Sequence, residues 1–192
     1  TVTVTDTNGC SANDSVIITE PPANQITFQR TYGSDSWEFG YGIQQTTDGG
    51  YIITGSTNIF GSGNFMFDIF LLKTDSLGDT LWSKVYGGSD REEPVSVQQT
   101  TDGGYIIAGW TRSFGNGGTG GPCGSYTCTD IYLIKTDSIG DTLWTKTYGG
   151  SSWEHGNSVQ QTKDGGYIIA GKNLELETGN SDVYLIRTDR SE

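Results

Sequence analysis

Long apolar runs and helical periodicity are both missing from this sequence. No stretch of about 18 apolar residues occurs, so the sequence predicts no membrane-spanning helix and no membrane insertion. The periodic segments are rich in Val, Ile, Thr, Tyr and Trp, which favours β-strands over helices. The N-terminal TVTVTDTNGC lacks the basic start and the apolar core of a signal peptide.

Basic residues are also scarce. The chain has 11 Lys and Arg residues against 23 Asp and Glu residues, which gives a net charge of −12. Such a surface repels phosphate backbones, so we expect no nucleic-acid partner. The acidic surplus favours solubility, and it also leaves room for a few calcium sites, since hard cations prefer oxygen ligands. We expect no other cofactor.

Histidine and cysteine, the usual residues of metal and nucleophile sites, are few. The single histidine, His155, has no partners in the sequence for a metal site or a Ser-His-Asp triad, so it is predicted to be a loop residue. There are three cysteines, and an odd count indicates a missing partner or a free thiol. No further Cys or His stands near Cys123 and Cys128, which argues against zinc.

What the sequence does contain is a long internal repeat. The decapeptide TTDGGYIIAG at 100–109 returns with small changes at 46–55 and 162–171. A second segment, DIYLIKTDSIGDTLWTKTYGG at 130–150, matches 68–88, and its beginning returns at 182–189. ITFQRTYGS at 26–34 matches only the end of such a copy. Self-similarity of this kind indicates a repeat architecture.

Each complete copy predicts four strands. In the second copy these are 95–100, 105–111, 130–136 and 142–148. Asp102 is followed by two glycines, which suit a tight turn because glycine adopts positive φ without a Cβ penalty. The strand that begins YII is apolar on both faces and so needs layers packed above and below it.

A repeated, stacked, four-stranded antiparallel unit predicts an all-β fold, a partial β-propeller of about three blades. A parallel β-solenoid is the rival, but its coils run about 20 to 30 residues, well short of this repeat. The third copy stops early, which we interpret as a cut from a larger protein. The predicted boundaries are a hairpin at 1–22, a linker at 23–25, a closing strand at 26–33 and blades at 38–88, 92–150 and 154–192, the last incomplete.

The repeat resembles the kelch-type blade and the DG-rich, delta-60-like repeats of secreted bacterial proteins. The resemblance covers residues 26–192 and implies architecture more than activity. One departure is that paired glycines follow the fourth strand here, whereas in kelch they end the second.

The N-terminal stretch, with Asn8-Gly9-Cys10 and the closing segment 16–22, resembles the end of an Ig-like, PKD-like repeat of Bacteroidota surface proteins. That resemblance implies an extracellular or cell-surface location and export by the type IX system. It also implies a partner for Cys10 in an upstream part of the same repeat.

A residue that recurs in every copy is expected to serve the architecture, whereas a residue found in one copy only is a candidate for function. Glu38, Glu92 and Glu154 occur in every copy; they are weak candidates for a carboxylate ring that holds a metal, or else hydrogen bonds between blades. The paired glutamines at 44–45, 98–99 and 160–161 have the same two interpretations.

The feature found in one copy only is the loop at 112–129. Trp110, Phe114 and Tyr126 give it stacking surface for a carbohydrate or protein ligand, or the loop is a tolerated insertion. Because the loop is Gly-rich and the chain resembles extracellular proteins, we predict a Cys123–Cys128 disulfide that stiffens it.

The sequence offers no catalytic set. We therefore expect a non-enzymatic extracellular or cell-surface propeller segment for adhesion or ligand binding. The alternatives are a propeller carbohydrate-active enzyme whose active site lies outside this chain, and a structural spacer.

Overall fold

The computed structural model describes residues 2–5, 7–8, 11–14, 27–58, 66–115, 128–175 and 178–189. These residues contain thirteen β-strands and no helix, so the all-β prediction is confirmed. In the described part of the chain, no helix is long and apolar enough to cross a membrane.

The strands form four antiparallel sheets, none of which closes on itself. The N-terminal sheet is a pair, β1 (Val2–Thr5) and β2 (Ser11–Asp14). Residues 16–20, predicted to end this hairpin, lie outside the described residues, as do the linker at 23–25 and residue 26.

Sheets I and II have four strands each, and sheet III has three. Sheet I consists of β3 (Glu38–Gln45), β4 (Tyr51–Thr57), β5 (Asp68–Thr74) and β6 (Thr80–Tyr86). Sheet II consists of β7 (Glu92–Gln99), β8 (Tyr105–Thr111), β9 (Asp130–Thr136) and β10 (Thr142–Tyr148). Sheet III consists of β11 (Trp153–Gln161), β12 (Tyr167–Leu174) and β13 (Ser181–Thr188). Within each sheet the strands follow one another in chain order.

An Asp-Gly-Gly turn joins the first two strands of every one of these three sheets. Gly103 has a φ of +84°, and the Gly104 amide donates to Oδ1 of Asp102 over 3.0 Å. A Cβ on Gly104 would lie 2.1 Å from the backbone oxygen of Thr136, which leaves no room for a side chain. The first glycine therefore supplies a left-handed conformation, and the second supplies close approach to the third strand.

Two apolar clusters lie between the sheets. The first joins sheets I and II and includes Ile69, Leu71, Tyr105 and Ile107, each at most 2% exposed. The second joins sheets II and III and consists of Ile106, Ala108, Ile131, Leu133, Val159, Tyr167 and Ile169. Fully burying each large apolar side chain contributes roughly 1.5–3 kcal/mol, so these interfaces hold the three sheets together.

Glutamines from the first strands tie the sheets to one another. The side-chain oxygen of Gln44 accepts a hydrogen bond from the backbone N–H of Gln99 at 2.6 Å. In the same way, the side-chain oxygen of Gln98 accepts one from the backbone N–H of Gln161 at 2.6 Å. The side chain of Gln99 in turn accepts from the Thr47 amide at 2.9 Å. Hydrogen bonding between sheets, one of the two interpretations offered for the glutamines, is observed for Gln44, Gln98, Gln99 and Gln161. Gln45 instead donates to the Gly49 oxygen in its own turn.

Residues 27–33, the described part of the predicted closing strand, take part in no β-ladder. Residues 28–32 instead lie along the β5–β6 turn of sheet I. The Tyr32 hydroxyl donates to the backbone oxygen of Gly78 at 2.6 Å, and Arg30 pairs with Asp79 at 3.5 Å.

Candidate functional site

A groove of about 970 Å³ runs between sheets II and III, at the end of the sheets where the Asp-Gly-Gly turns lie. It is lined by residues of β9, β10, β11 and β12 and of both neighbouring turns: Thr101, Asp102, Lys135, Leu143, Trp144, Gln161, Lys163, Asp164, Gly165 and Tyr167.

One wall of the groove is aromatic and apolar. The rings of Trp144 and Tyr167 meet edge to face, with centroids 5.7 Å apart. Lys146 lies over the Trp144 ring, 5.5 Å from its centroid, and Leu143 is 58% exposed. Alternation along β10 places Trp144 and Lys146 on one face, so this wall follows directly from strand geometry.

Charged groups lie beside this aromatic surface, since Lys135 is the partner of Trp144 across β9 and β10. Nζ of Lys135 lies 2.9 Å from Oδ2 of Asp102, although the lysine side chain is only 4% exposed. Burial alone would raise the pKa of Asp102, but hydrogen bonds from Thr100, Lys135 and the Gly104 amide lower it to about 2. The carboxylate is therefore ionised at neutral pH, and the buried lysine has a fixed counter-charge.

The corresponding pair of sheet III is open to solvent. Asp164 accepts hydrogen bonds from Thr162 and from Arg187, and its pKa is lowered mainly by the Thr162 hydroxyl. The side chain of Arg187 is 62% exposed, whereas the lysines at the equivalent positions in sheets I and II are each 4% exposed.

Lys163 distinguishes this groove from the repeat pattern. The equivalent residues of the other two turns are Thr47 and Thr101, so the third turn adds an exposed positive charge. Gln161, beside it, is held in place because its side-chain oxygen accepts from the Thr101 amide at 2.9 Å.

The equivalent tryptophan of sheet I is covered by a turn. A Cβ on Gly140, in the β9–β10 turn, would lie 2.8 Å from Cζ3 of Trp82. The same turn accepts a hydrogen bond from the Tyr86 hydroxyl at 2.6 Å, and its Asp141 pairs with Lys84 at 2.8 Å. Sheet III is described only to Asp189, and no such turn covers Trp144 among the described residues.

Trp110 and Phe114, two of the predicted stacking residues, lie apart from the groove. Trp110 is only 8% exposed; His155 stacks on its ring at 5.1 Å, and the guanidinium groups of Arg91 and Arg112 lie at 5.5 and 5.7 Å. The ring of Trp110 is thus already occupied by the protein. Phe114, 36% exposed, stacks on Tyr132 at 5.2 Å.

The remaining loop residues of the predicted site, Tyr126 and Cys123, lie outside the described residues. Cys128 is 1% exposed and is disulfide-bonded, with its partner outside the described residues. The Cys123–Cys128 pairing therefore stays a prediction.

Two of the three glutamates predicted as weak metal candidates, Glu92 and Glu38, accept hydrogen bonds from their own sheets and the loops that precede them. Glu92, fully buried, accepts from the Thr111 hydroxyl at 2.7 Å and from the Gly88 amide at 2.8 Å. Glu38, half-buried, accepts from the Ser34 hydroxyl at 3.0 Å and the Thr57 hydroxyl at 3.3 Å. In these two sheets the glutamate anchors the loop that precedes its strand.

Glu154 occupies the same position in sheet III and meets a second carboxyl group. A Cβ on Gly149 would lie 2.0 Å from Oδ1 of Asp130 and 2.9 Å from Oε2 of Glu154, so the two groups converge there. Burial and, to a smaller extent, the Asp130 charge raise the pKa of Glu154, against an opposing contribution from the Gly150 amide. Burial and the neighbouring Glu92 likewise raise the pKa of Asp68.

Calcium stays a prediction. Within the described ranges, no three His, Cys, Asp or Glu side chains come together in a group that could hold a metal ion.

The groove was not predicted from the sequence, because residues present in every copy were assigned to architecture. Trp144 and Asp102 belong to that shared set. Two features of the sequence could have indicated the groove. Lys163 replaces the threonine found in the other two turns, and a tryptophan recurs at one end of the outer strand. What the groove offers chemically is a half-buried aromatic surface bordered by fixed charges and an amide, a combination suited to holding a polar ligand with an apolar face.

No protein-family model matches the sequence, and no curated protein matches it.

Proposed function

We propose that the chain is part of an extracellular or cell-surface β-propeller that binds a carbohydrate ligand, without catalysis, in the groove between sheets II and III. The observation that carries this proposal is the groove itself, which Trp144 and Leu143 line together with the charged groups of Asp102, Lys163 and Asp164. An aromatic ring takes the apolar face of a sugar, while carboxylate, ammonium and amide groups bond its hydroxyls.

The propeller arrangement is supported by the stacking of three antiparallel sheets built from one repeat. Each sheet runs outward from a first strand, and the glutamines that join neighbouring sheets all lie on those first strands. Radial repetition of such sheets is the geometry of a propeller.

The extracellular location is supported by two features. Cys128 is disulfide-bonded, and disulfides persist mainly in oxidising compartments. The repeat also resembles the DG-rich repeats of secreted bacterial proteins, and the N-terminal stretch resembles PKD-like repeats of Bacteroidota surface proteins.

A glycan array followed by titration calorimetry tests the binding proposal. Leu143→Lys, which puts a charge on the apolar wall, should weaken binding of the selected glycan by at least about tenfold. Leu81→Lys is the matched control, since Leu81 is the equivalent residue of sheet I and is 57% exposed against 58% for Leu143. Equal affinities of the two variants would overturn the groove as the site.

Lys163→Thr restores the residue found in the other two turns. We expect it to weaken binding while leaving the unfolding curve unchanged, because Lys163 is exposed. A chain that selects no glycan on the array contradicts the proposed function.

A further inference from the structure

A pair of carboxyl groups lies buried at each of the two interfaces between sheets. Each pair joins the aspartate that begins the third strand of one sheet to the glutamate near the start of the next sheet's first strand. The pairs are Asp68 with Glu92 and Asp130 with Glu154, and all four residues are at most 8% exposed. Two carboxylates so close together and so well buried are costly unless hydrogen bonds or a cation compensate them.

At the interface of sheets I and II, hydrogen bonds compensate the glutamate. Oε1 of Glu92 accepts from the Thr111 hydroxyl at 2.7 Å and from the Ser113 amide at 3.2 Å. Oε2 of Glu92 accepts from the Gly88 amide at 2.8 Å. Each oxygen of this glutamate therefore has a donor within the protein.

At the interface of sheets II and III, the threonine donor is replaced. Asn173 stands opposite Glu154 in the strand register, where Thr111 stands opposite Glu92. Directly opposite residues have Cβ atoms about 4.5–5.5 Å apart, so these side chains lie beside each other. Oε2 of Glu154 and Oδ1 of Asn173 are both buried, and neither has a hydrogen-bond partner. Glu154 as a whole is only 3% exposed. A buried acceptor without a donor calls for an explanation, and a bound ion is one.

Asp130 brings a second carboxylate to the same place. A Cβ on Gly149 would lie 2.0 Å from Oδ1 of Asp130 and 2.9 Å from Oε2 of Glu154, so the two oxygens converge on one point. Calcium binds oxygen ligands at about 2.3–2.6 Å, so a single ion between these oxygens can contact both.

The chain supplies no positive charge to this pair among the described groups. Burial raises the pKa of Glu154, and no described group that acts on it is a cation. Arg112 and Lys172 act instead on the neighbouring His155. The sequence just before each carboxylate offers none either, since residues 116–129 and 149–153 contain no Lys, Arg or His.

We propose that a calcium ion binds between sheets II and III, held by Asp130, Glu154 and the amide oxygen of Asn173. Carboxylate and amide oxygens are ligands that calcium prefers, and neutral backbone or water oxygens complete its shell. The ion ties β9 of sheet II to β11 and β12 of sheet III. It uses no residue of the groove, so calcium binding is tested independently of glycan binding.

Thermal unfolding of the 192-residue chain at neutral pH, in excess EGTA and in rising calcium, tests for the ion. A ligand that binds only the folded state raises the unfolding temperature progressively with its free concentration. We expect such a rise, and metal analysis of the calcium-loaded chain should find one ion, because only one of the two interfaces leaves its glutamate without donors. A midpoint that ignores calcium would mean that the two carboxyl groups share a proton instead, and it would overturn the proposal.

Magnesium distinguishes a calcium site from general screening of the acidic surface. Magnesium demands near-octahedral geometry and gives up its water reluctantly, so at the same concentration it should raise the midpoint less than calcium does. Equal rises with the two ions would point to screening and contradict the site.

Glu154→Gln separates the ion from the fold. Its side-chain NH₂ group can donate to Asp130, so in EGTA the variant should be at least as stable as the wild type, yet it should lose the calcium-dependent rise. Glu92→Gln is the matched control, since it removes the equivalent carboxylate at the other interface; it should keep the full rise. If Glu154→Gln keeps the rise, or if both variants lose it, calcium does not bind where we place it.

Asn173→Thr restores the residue type that stands opposite the glutamate in the other two sheets. The threonine hydroxyl can donate to Glu154 as Thr111 donates to Glu92, so the variant should be more stable than the wild type in EGTA. Its calcium affinity, from the same titration, should be at least about tenfold weaker. Calcium affinity equal to that of the wild type would contradict the role of Asn173 as a ligand.

Discussion

At the residue scale, Glu92 shows how a buried carboxylate serves structure. The residue is fully buried, and one of its oxygens accepts from the Thr111 hydroxyl at 2.7 Å and from the Ser113 amide at 3.2 Å. The other accepts from the Gly88 amide at 2.8 Å. Three donors thus converge on one side chain, which leaves Glu92 no oxygen free of a protein donor.

Glu92→Gln should destabilise the fold by about 1–3 kcal/mol, because the amide places an NH₂ group where a buried acceptor is needed. Glu38→Gln, at the equivalent but half-buried position in sheet I, is the control and should cost less, since solvent can replace the lost bonds. Urea unfolding of both variants measures the difference. Equal losses would show that burial of the glutamate is unimportant.

His155 makes stability depend on pH. Burial, with smaller contributions from the charges of Lys172 and Arg112, lowers its pKa from 6.5 to about 4. Between those two pH values the unfolded chain binds the proton more readily, so the stabilising contribution of neutral His155 is lost as the pH falls through that window.

His155→Phe should remove this part of the pH dependence while keeping the stacking on Trp110. Phenylalanine is the residue of the first copy at this position, Phe39, and His155 is the only histidine of the chain. Thermal unfolding of both proteins from pH 7 to pH 4 tests it. Parallel curves across that range would contradict the assignment of the effect to His155.

At the element scale, the two turn glycines have different roles, and substitutions separate them. Gly103 has positive φ but open space around a Cβ, so Gly103→Ala should cost about 1–2 kcal/mol and Gly103→Asn less. Gly104→Ala should cost more than Gly103→Ala, because its Cβ would meet the backbone oxygen of Thr136 at 2.1 Å. Urea unfolding measures all three, and the reverse ranking would contradict this assignment.

At the scale of the whole molecule, equivalent leucines differ in exposure. Sheet III covers the leucine of sheet II, whereas no described residue covers the leucine of sheet III. Leu133 is 0% exposed between sheets II and III, whereas Leu185 is 63% exposed on sheet III. Leu133→Ala should therefore cost about 2–5 kcal/mol, and Leu185→Ala less than about 0.5 kcal/mol in dilute, unassociated chain. Denaturant unfolding at low protein concentration checks both. A large loss for Leu185→Ala in the monomer would show that its face is covered within the chain.

Local sequence patterns predicted most of the strands. The strands predicted at 105–111, 130–136 and 142–148 are β8, β9 and β10 with the same bounds, because a turn residue stands at each boundary. The first strand was placed at 95–100 but begins at Glu92, since the bulge between Pro94 and Ser96 interrupts the alternation there. Bulges are a property of strand pairing and leave little trace in one strand alone.

The site was harder to predict. Trp110 was expected to offer a stacking surface, yet His155 and two arginines, more than 40 residues away in one case, occupy its ring. Trp144 and Trp82 have the same local sequence, yet among the residues that the structure describes only Trp82 lies under a neighbouring turn. Contacts between residues distant in the chain decide which aromatic ring is open.

By itself the sequence determined the unit: its strands, its Asp-Gly-Gly turn and its repetition, because these depend on backbone conformation and on apolar residues that alternate or run along a strand. Only the tertiary structure decided how equivalent residues differ. Stacking buries Leu133 and leaves Leu185 open, and it buries the Lys135 side chain that pairs with Asp102 while the Arg187 side chain stays in solvent. The physical reason is that burial and charge pairing depend on the neighbouring sheet, and identical segments have different neighbours along a finite stack.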